Sequence, residues 1–473
     1  MTLTRRALLK SAAALGAGSA FTMGAGGVLP GFGTAHAANT SGYKAMVCLF
    51  FLGGLDHNDV LLPYDQSSYD SYADIRSSLL GSFSTEASRA RGNLLPLAPD
   101  NSGDFGARQF ALAPELSGLH GMFQSGRAAI VSNVGPLIQP VTREDVEDES
   151  AALPAGLFSH NDQQSQWSAG APEGARNGWG GRMADEILAS GSNQTADFTA
   201  ISTLGNDVFL TGDVTQPYLV GLDGARSLDI LDFYGYNPFG QDDNPTLAAL
   251  RTHFENRMNT PDSLIGRDMA AAISGGLAKN EAFNSALETS QPLQTQFPPG
   301  FLGAQLRAIA RTISTRNSLL MNRQVFYAAV GGFDTHSAQA QDLPRLLREI
   351  DQAVVAFYGA MEELGIANDV TLFTASEFGR TLAINGDGTD HGWGGVQFVV
   401  GGGVRGGRIY GDVPEFVLGH DQDVGSGRLL PSMSVEQFAA PIGRWFGLTE
   451  DELVRALPAL PNFEAGSTPS FFV

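Results

Sequence analysis

A sheet of parallel or mixed strands with helices on both faces is the fold class this sequence predicts. Two observations predict it. Short runs of continuously apolar residues, several closed by glycine, recur from residue 43 to residue 403. Longer segments with apolar residues at helical spacing lie between them. Continuous rather than alternating apolar runs mark strands buried on both faces, and strand–helix alternation is the pattern of a parallel or mixed sheet.

The elements follow in chain order. "YKAMVCLFFLGG" is the first buried strand, and "APELSGLHGMFQSG" is helix-like and leads into the strand "AAIVSNVG". "FTAISTLG" and "VFYAAVGG" are further strands, and "DVTLFTAS" and "VQFVVGGG" complete the set. "PPGFLGAQLRAIARTISTR" and "LPRLLREIDQAVVAFYGAMEEL" are amphipathic helices. The stretch 237–298 is rich in Asn, Asp, Gln and Pro around short helical segments and is expected to be an insertion in a single domain spanning 38–473.

The N-terminus differs in kind. Arg5 and Arg6, followed by Lys10, precede a weakly apolar Ala/Gly-rich stretch that ends in "AHA" at residues 35–37. This resembles a twin-arginine (Tat) export signal with a small-x-small cleavage site. The stretch has too little Leu, Ile and Val for a membrane anchor, so the mature chain is expected to start near Ala38, without a transmembrane anchor, in the periplasm or outside the cell. The Tat translocon is the partner expected during export. Cys48 is the one cysteine of 473 residues, so no internal disulfide is expected. A formal net charge of -21 argues against nucleic acid or anionic membrane as a partner, because binding phosphate needs Lys and Arg.

In open α/β sheets, ligand-binding residues collect beyond the carboxyl ends of the strands. Four polar loops fall there. "GGLDHND" carries Asp56, "GGFDTH" carries Asp334 and His336, "TASEFGR" carries Glu377 and Arg380, and "GTDHG" carries His391. Carboxylates with imidazoles suit zinc or manganese, whereas an oxygen-rich set suits calcium or magnesium. Ser159 in "GLFSHNDQQSQWSAG" precedes a helix-like run, where its hydroxyl either caps the helix or attacks an anionic ester, with His160, Gln163 and Gln164 close by.

The ordered motifs "GGLDHNDVLLP", "LFSHNDQQSQW", "GWGGRMAD", "RQVFYAAVGGFDTH", "SEFGR", "GTDHGWGG" and "RLLPSMSVEQFAAPIGRWFGL" resemble the exported bacterial domain-of-unknown-function family 1501 from about Ala45 to Phe463. That family is similar to the alkaline phosphatase and sulfatase superfamily. The resemblance implies a three-layer α/β/α sandwich around a mostly parallel mixed sheet, and metal-dependent hydrolysis of phosphate or sulfate esters. It implies metal ligands at Asp56, Asp334, His336, Glu377 and His391 and a nucleophile at Ser159, while Arg380 is the candidate for pairing with an anionic oxygen. Two departures stand out: the Asp334–His336 spacing is short, and Phe378 occupies a position where the superfamily has a ligating His. The expected function is an exported hydrolase of a small or polymeric anionic ester, using a divalent metal held mainly by Asp334, His336 and His391. A non-catalytic envelope binding or assembly protein that keeps the fold is the alternative.

Overall fold

The computed structural model describes residues 42–225, 249, 252–254, 256 and 264–473. The expected signal segment 1–37 and most of the first part of the expected insertion lie outside the described residues. From Leu264 the insertion is a single 26-residue helix, Leu264–Thr289, longer than the short segments expected, and its Phe283 packs on Phe198 and Tyr218.

Nine strands build the main sheet: β1 (Lys44–Leu52), β2 (Ala128–Gly135), β3 (Ala200–Ser202), β4 (Tyr218–Leu219), β5 (Arg323–Gly331), β6 (Val370–Ser376), β7 (Gly395–Val400), β8 (Ile409–Tyr410) and β9 (Met433–Ser434). Their order is β8-β2-β7-β6-β1-β5-β3-β4, with β9 also paired to β2. β7 runs antiparallel to both of its neighbours, and every other pairing is parallel. The longest predicted strands sit at the centre, where burial on both faces demands continuous apolar sequence.

The three layers can be read from β1. Ala45, Val47, Leu49 and Phe51 face one apolar cluster, shared with helices Ser117–Gln124, Phe301–Ser314 and Gln339–Glu363. Met46, Cys48 and Phe50 face a second cluster, shared with helices Trp179–Ala189 and Val435–Phe446. Each Leu or Phe buried in this way contributes about 1.5–3 kcal/mol, so the central strand is held from both sides. Cys48 is free, and burial pushes its thiol up in pKa, which makes it a core residue rather than a nucleophile.

Register then fixes where chemistry can gather. Leu52 is level with Gly331 of β5, and Phe51 is level with Ser376 of β6. The loops beginning at Gly53, Gly332 and Glu377 therefore leave the sheet along one edge. Because β7 is reversed, His391, just ahead of it, arrives at that same edge. Gly53 has φ +115, and a Cβ there would lie 2.3 Å from the Asp334 amide nitrogen, so only glycine lets the two loops cross.

Candidate metal centre

The Asp334 loop, the start of helix His160–Ala169 and the small hairpin Arg380–Ile384/Thr389–His391 meet above this edge. One ligand atom each from His160, Asp334 and His391 lies within 4.8 Å of the others. His336 adds a third imidazole, with its Nε2 2.9 Å from His391 Nε2 and 3.1 Å from Asp334 Oδ1. His391 Nε2 is itself 3.1 Å from Asp334 Oδ1, and His160 Nε2 is 3.5 Å from Asp334 Oδ2.

What suits this set to a cation is the far side of each ring. His391 Nδ1 lies 2.8 Å from the Phe158 carbonyl, which can only accept, so that nitrogen carries the hydrogen. His160 Nδ1 donates to Glu377 Oε1 at 3.0 Å, and His336 Nδ1 faces Asp390 Oδ1 at 3.3 Å. In the neutral rings the Nε2 lone pairs of His160 and His391 then point toward the Asp334 carboxylate, and that of His336 joins them when its Nδ1 carries the hydrogen. Lone pairs converging at these distances repel unless a proton or a cation lies among them. Imidazoles oriented through the other ring nitrogen by a carbonyl or carboxylate are the usual support of a metal ligand. The donor set fits a bound divalent ion. It is also open to water, since the Asp334 side chain is 45% exposed.

The surroundings tune these groups. Burial raises the Asp334 pKa, but contact with His391 in its protonated form and the hydrogen bond from Arg380 outweigh it and hold the carboxyl below its ordinary value. The Glu377 hydrogen bond raises His160, against the opposing effect of burial, and burial lowers His391. Phe378 stacks on His391 with ring centroids 4.4 Å apart and packs on His160 at 5.1 Å. It cannot ligate, and it instead walls the imidazoles in place.

Several residues named from sequence stand elsewhere. Glu377 is fully buried and its Oε1 accepts from Gly53 N, His160 Nδ1 and Gln164 Nε2. It orients His160 rather than joining the converging lone pairs. Arg380 is also fully buried, with Nη1 on Gly53 O at 2.8 Å and on Asp334 Oδ1 at 3.1 Å, and Nε on Thr389 Oγ1 at 3.0 Å. Its donors face protein, so it braces Asp334 and does not reach solvent.

Asp56 lies in a sealed network. Arg76 Nη1 and Nη2 contact its two oxygens at 2.7 and 3.1 Å, and Gln339 Nε2 adds a third hydrogen bond. Burial raises the Asp56 pKa, but Arg76 beside it more than compensates, and the net shift is downward. Arg76 also lies 3.4 Å from Asp59, and Arg89 continues the chain to Glu115 at 3.0 Å. A second ion held by Asp56 and Glu377 does not fit this arrangement, because three of their four oxygens, both of Asp56 and Oε1 of Glu377, are already matched to protein donors. Only Glu377 Oε2 is buried without a partner.

Ser159 occupies the N-cap position of its helix, yet its side chain makes no capping bond. Gln163 Oε1 reaches back to the Phe158 amide instead. Phe158 has φ +69, a conformation rare for a non-glycine residue and one that turns its carbonyl toward His391. His160 is the candidate ligand that spacing alone undervalued. Its only sequence signal was its place at a helix start beside the other candidate groups.

Fold and site together define an α/β/α protein with an open His/Asp cluster, a candidate cation site, at the carboxyl edge of its sheet. The family model described as "Protein of unknown function (DUF1501)" matches residues 43–457, and the chain belongs to that family. No curated protein matches it significantly. Among solved structures, Ps i-CgsB in complex with k-i-k-neocarrahexaose is similar at 9% identity and a TM-score of 0.33, over 89% of this chain and 77% of that one. The lipoteichoic acid synthase LtaP from Listeria monocytogenes is similar at 9% identity and a TM-score of 0.28, over 84% and 78%. A Bacteroides thetaiotaomicron protein concerned with metabolism of multiple glycosaminoglycans gives 11% and 0.31, over 85% and 76%. Scores at this level carry no weight for reaction or substrate.

Proposed function

We propose that this protein is an exported, metal-dependent hydrolase of an anionic ester, phosphate or sulfate. The observation that carries the reading is the convergence of three oriented imidazoles on one solvent-open carboxylate. A set of nitrogen donors with one oxygen donor favours zinc or manganese over calcium or magnesium. Bound there, the ion supplies polarisation of the ester oxygen and acidification of a hydroxyl or water. His160, Asp334, His336 and His391 hold it, Glu377 and Asp390 orient two of the rings, and Arg380 fixes Asp334.

Ser159 is the attacking group in this reading. Its hydroxyl is uncommitted to capping and immediately precedes His160. Its oxygen bonds to phosphorus or sulfur as the bond to the alkoxide breaks, its proton passes through solvent to that alkoxide, and water later releases the acid and restores the Ser159 hydroxyl. The paired Arg5 and Arg6 and the "AHA" site support a reaction outside the cytoplasm.

The test is metal content followed by assay. Protein purified from cells supplied with zinc, manganese and calcium should carry about one ion per chain, and a panel of aryl phosphate mono- and diesters and aryl sulfates should include a substrate. Replacing both His160 and His391 by alanine should empty the site and abolish turnover. Protein free of metal under all three supplements would overturn the reading.

A further inference from the structure

An anionic ester approaching this centre meets Asp334, Glu377 and Asp390, in a chain with 50 acidic residues and 29 lysines and arginines. Net attraction needs a positive group at the rim besides the bound ion. Arg380 is not that group, being fully buried against Gly53, Thr389 and Asp334. Arg76 is sealed against Asp56 and Asp59.

Arg428 is differently placed. Its Nε donates to the His391 carbonyl at 2.9 Å, and its guanidinium lies 5.2 Å from the ring centroid of Phe158, the residue whose own carbonyl orients the His391 ring. Both anchors belong to the metal centre. The other hydrogen bond of its side chain is a long one, 3.3 Å, from Nη1 to the Gly425 carbonyl. Among the described residues it has no ion-pair partner, and the nearby Asp423 is committed to the amides of Gly419, Gly425 and Gly427. A guanidinium carries five N–H donors in a planar fork. Two are used here, so the rest of the fork, on a half-exposed side chain, is free.

We infer that Arg428 is the anion-recognition residue of the centre, donating its free N–H groups to the non-bridging oxygens of a phosphate or sulfate ester. The inference rests on the hydrolase reading above. Phe158 serves it as a platform: the contact of the guanidinium with the ring limits its freedom beside the centre. The two bonds that anchor Arg428 come from Nε and one Nη, so ligand binding need not break them.

Calorimetric titration of inorganic phosphate and inorganic sulfate into the full-length, zinc-loaded protein at low salt tests this directly. Arg428→Gln should bind both anions roughly tenfold to a hundredfold more weakly, the range for losing charge-assisted hydrogen bonds. Arg428→Lys should keep part of the affinity through its charge. Zinc content should stay that of the wild type in both variants, and in turnover the loss should appear in KM more than in kcat. Anion affinity unchanged in Arg428→Gln would overturn the inference while leaving the hydrolase reading intact. Loss of zinc from both variants would also overturn it, because Arg428 would then be a brace for His391. If the wild type binds neither anion, the hydrolase reading falls and this inference with it.

Discussion

Two neighbouring groups of charged residues at the same sheet edge have met opposite fates. Around Asp56, two aspartates face two arginines, and each carboxylate oxygen has a protein donor. Around Asp334, one carboxylate faces three imidazoles, two of which have Nδ1 held by a carbonyl or carboxylate, so that their Nε2 carries no hydrogen in the neutral form. The first group is sealed and neutralised by the fold itself. The second is open and lacks a matching cation for its lone pairs, apart from the one contact from Arg380. Residue type is therefore a poor guide to ligation: a carboxylate is available to a metal only where the fold withholds its counter-charge.

The sharpest way to break this contrast is to remove the built-in cation. Arg76→Ala leaves Asp56 and Asp59 buried without their guanidinium, and the expected loss is about 3–5 kcal/mol. Chemical denaturation measures it. A loss under 1 kcal/mol would show that water reaches the network and that it is not sealed.

Acid should expose the same region next. His57 is buried beside Asp56, and both of its ring nitrogens lack a partner. Burial pushes its pKa from 6.5 down to about 4. The unfolded chain therefore binds this proton more tightly than the folded one. Stability is full above about pH 6.5 and falls as pH drops toward 4, by about 2–3 kcal/mol between pH 7 and 4.5. Denaturation midpoints across that range should show the decline, and His57→Gln should flatten it.

At the open centre the expected effects are smaller. Glu377→Gln keeps the shape but weakens the acceptor that fixes His160, and metal affinity should drop roughly tenfold to a hundredfold in chelator competition. Unchanged affinity would remove Glu377 from the support of the site. Smallest on stability is Ser159→Ala, expected within about 0.5 kcal/mol because no capping bond is lost. The same variant should abolish ester hydrolysis with the metal still bound. Activity at the wild-type level would shift the attack to a metal-bound water.

The sequence by itself determined the layered α/β architecture, because burial on both faces forces continuous apolar runs and burial on one face forces helical spacing. It also located the edge at which polar loops gather, since strand ends and glycine turns are local features. Asp334, His336 and His391 were legible as neighbours on that basis. The tertiary structure alone decided what each group does there. His160 arrives from a loop after β2, Arg76 from a helix some twenty residues past β1, and Arg428 from far downstream, so no spacing rule links them to the site. Whether Asp56 meets an ion or a guanidinium, and which nitrogen of each imidazole carries the hydrogen, depends on partners hundreds of residues away, such as Gln339 for Asp56 and Phe158 for His391. These are properties of contacts between distant segments, and electrostatic pairing is settled only when those contacts form.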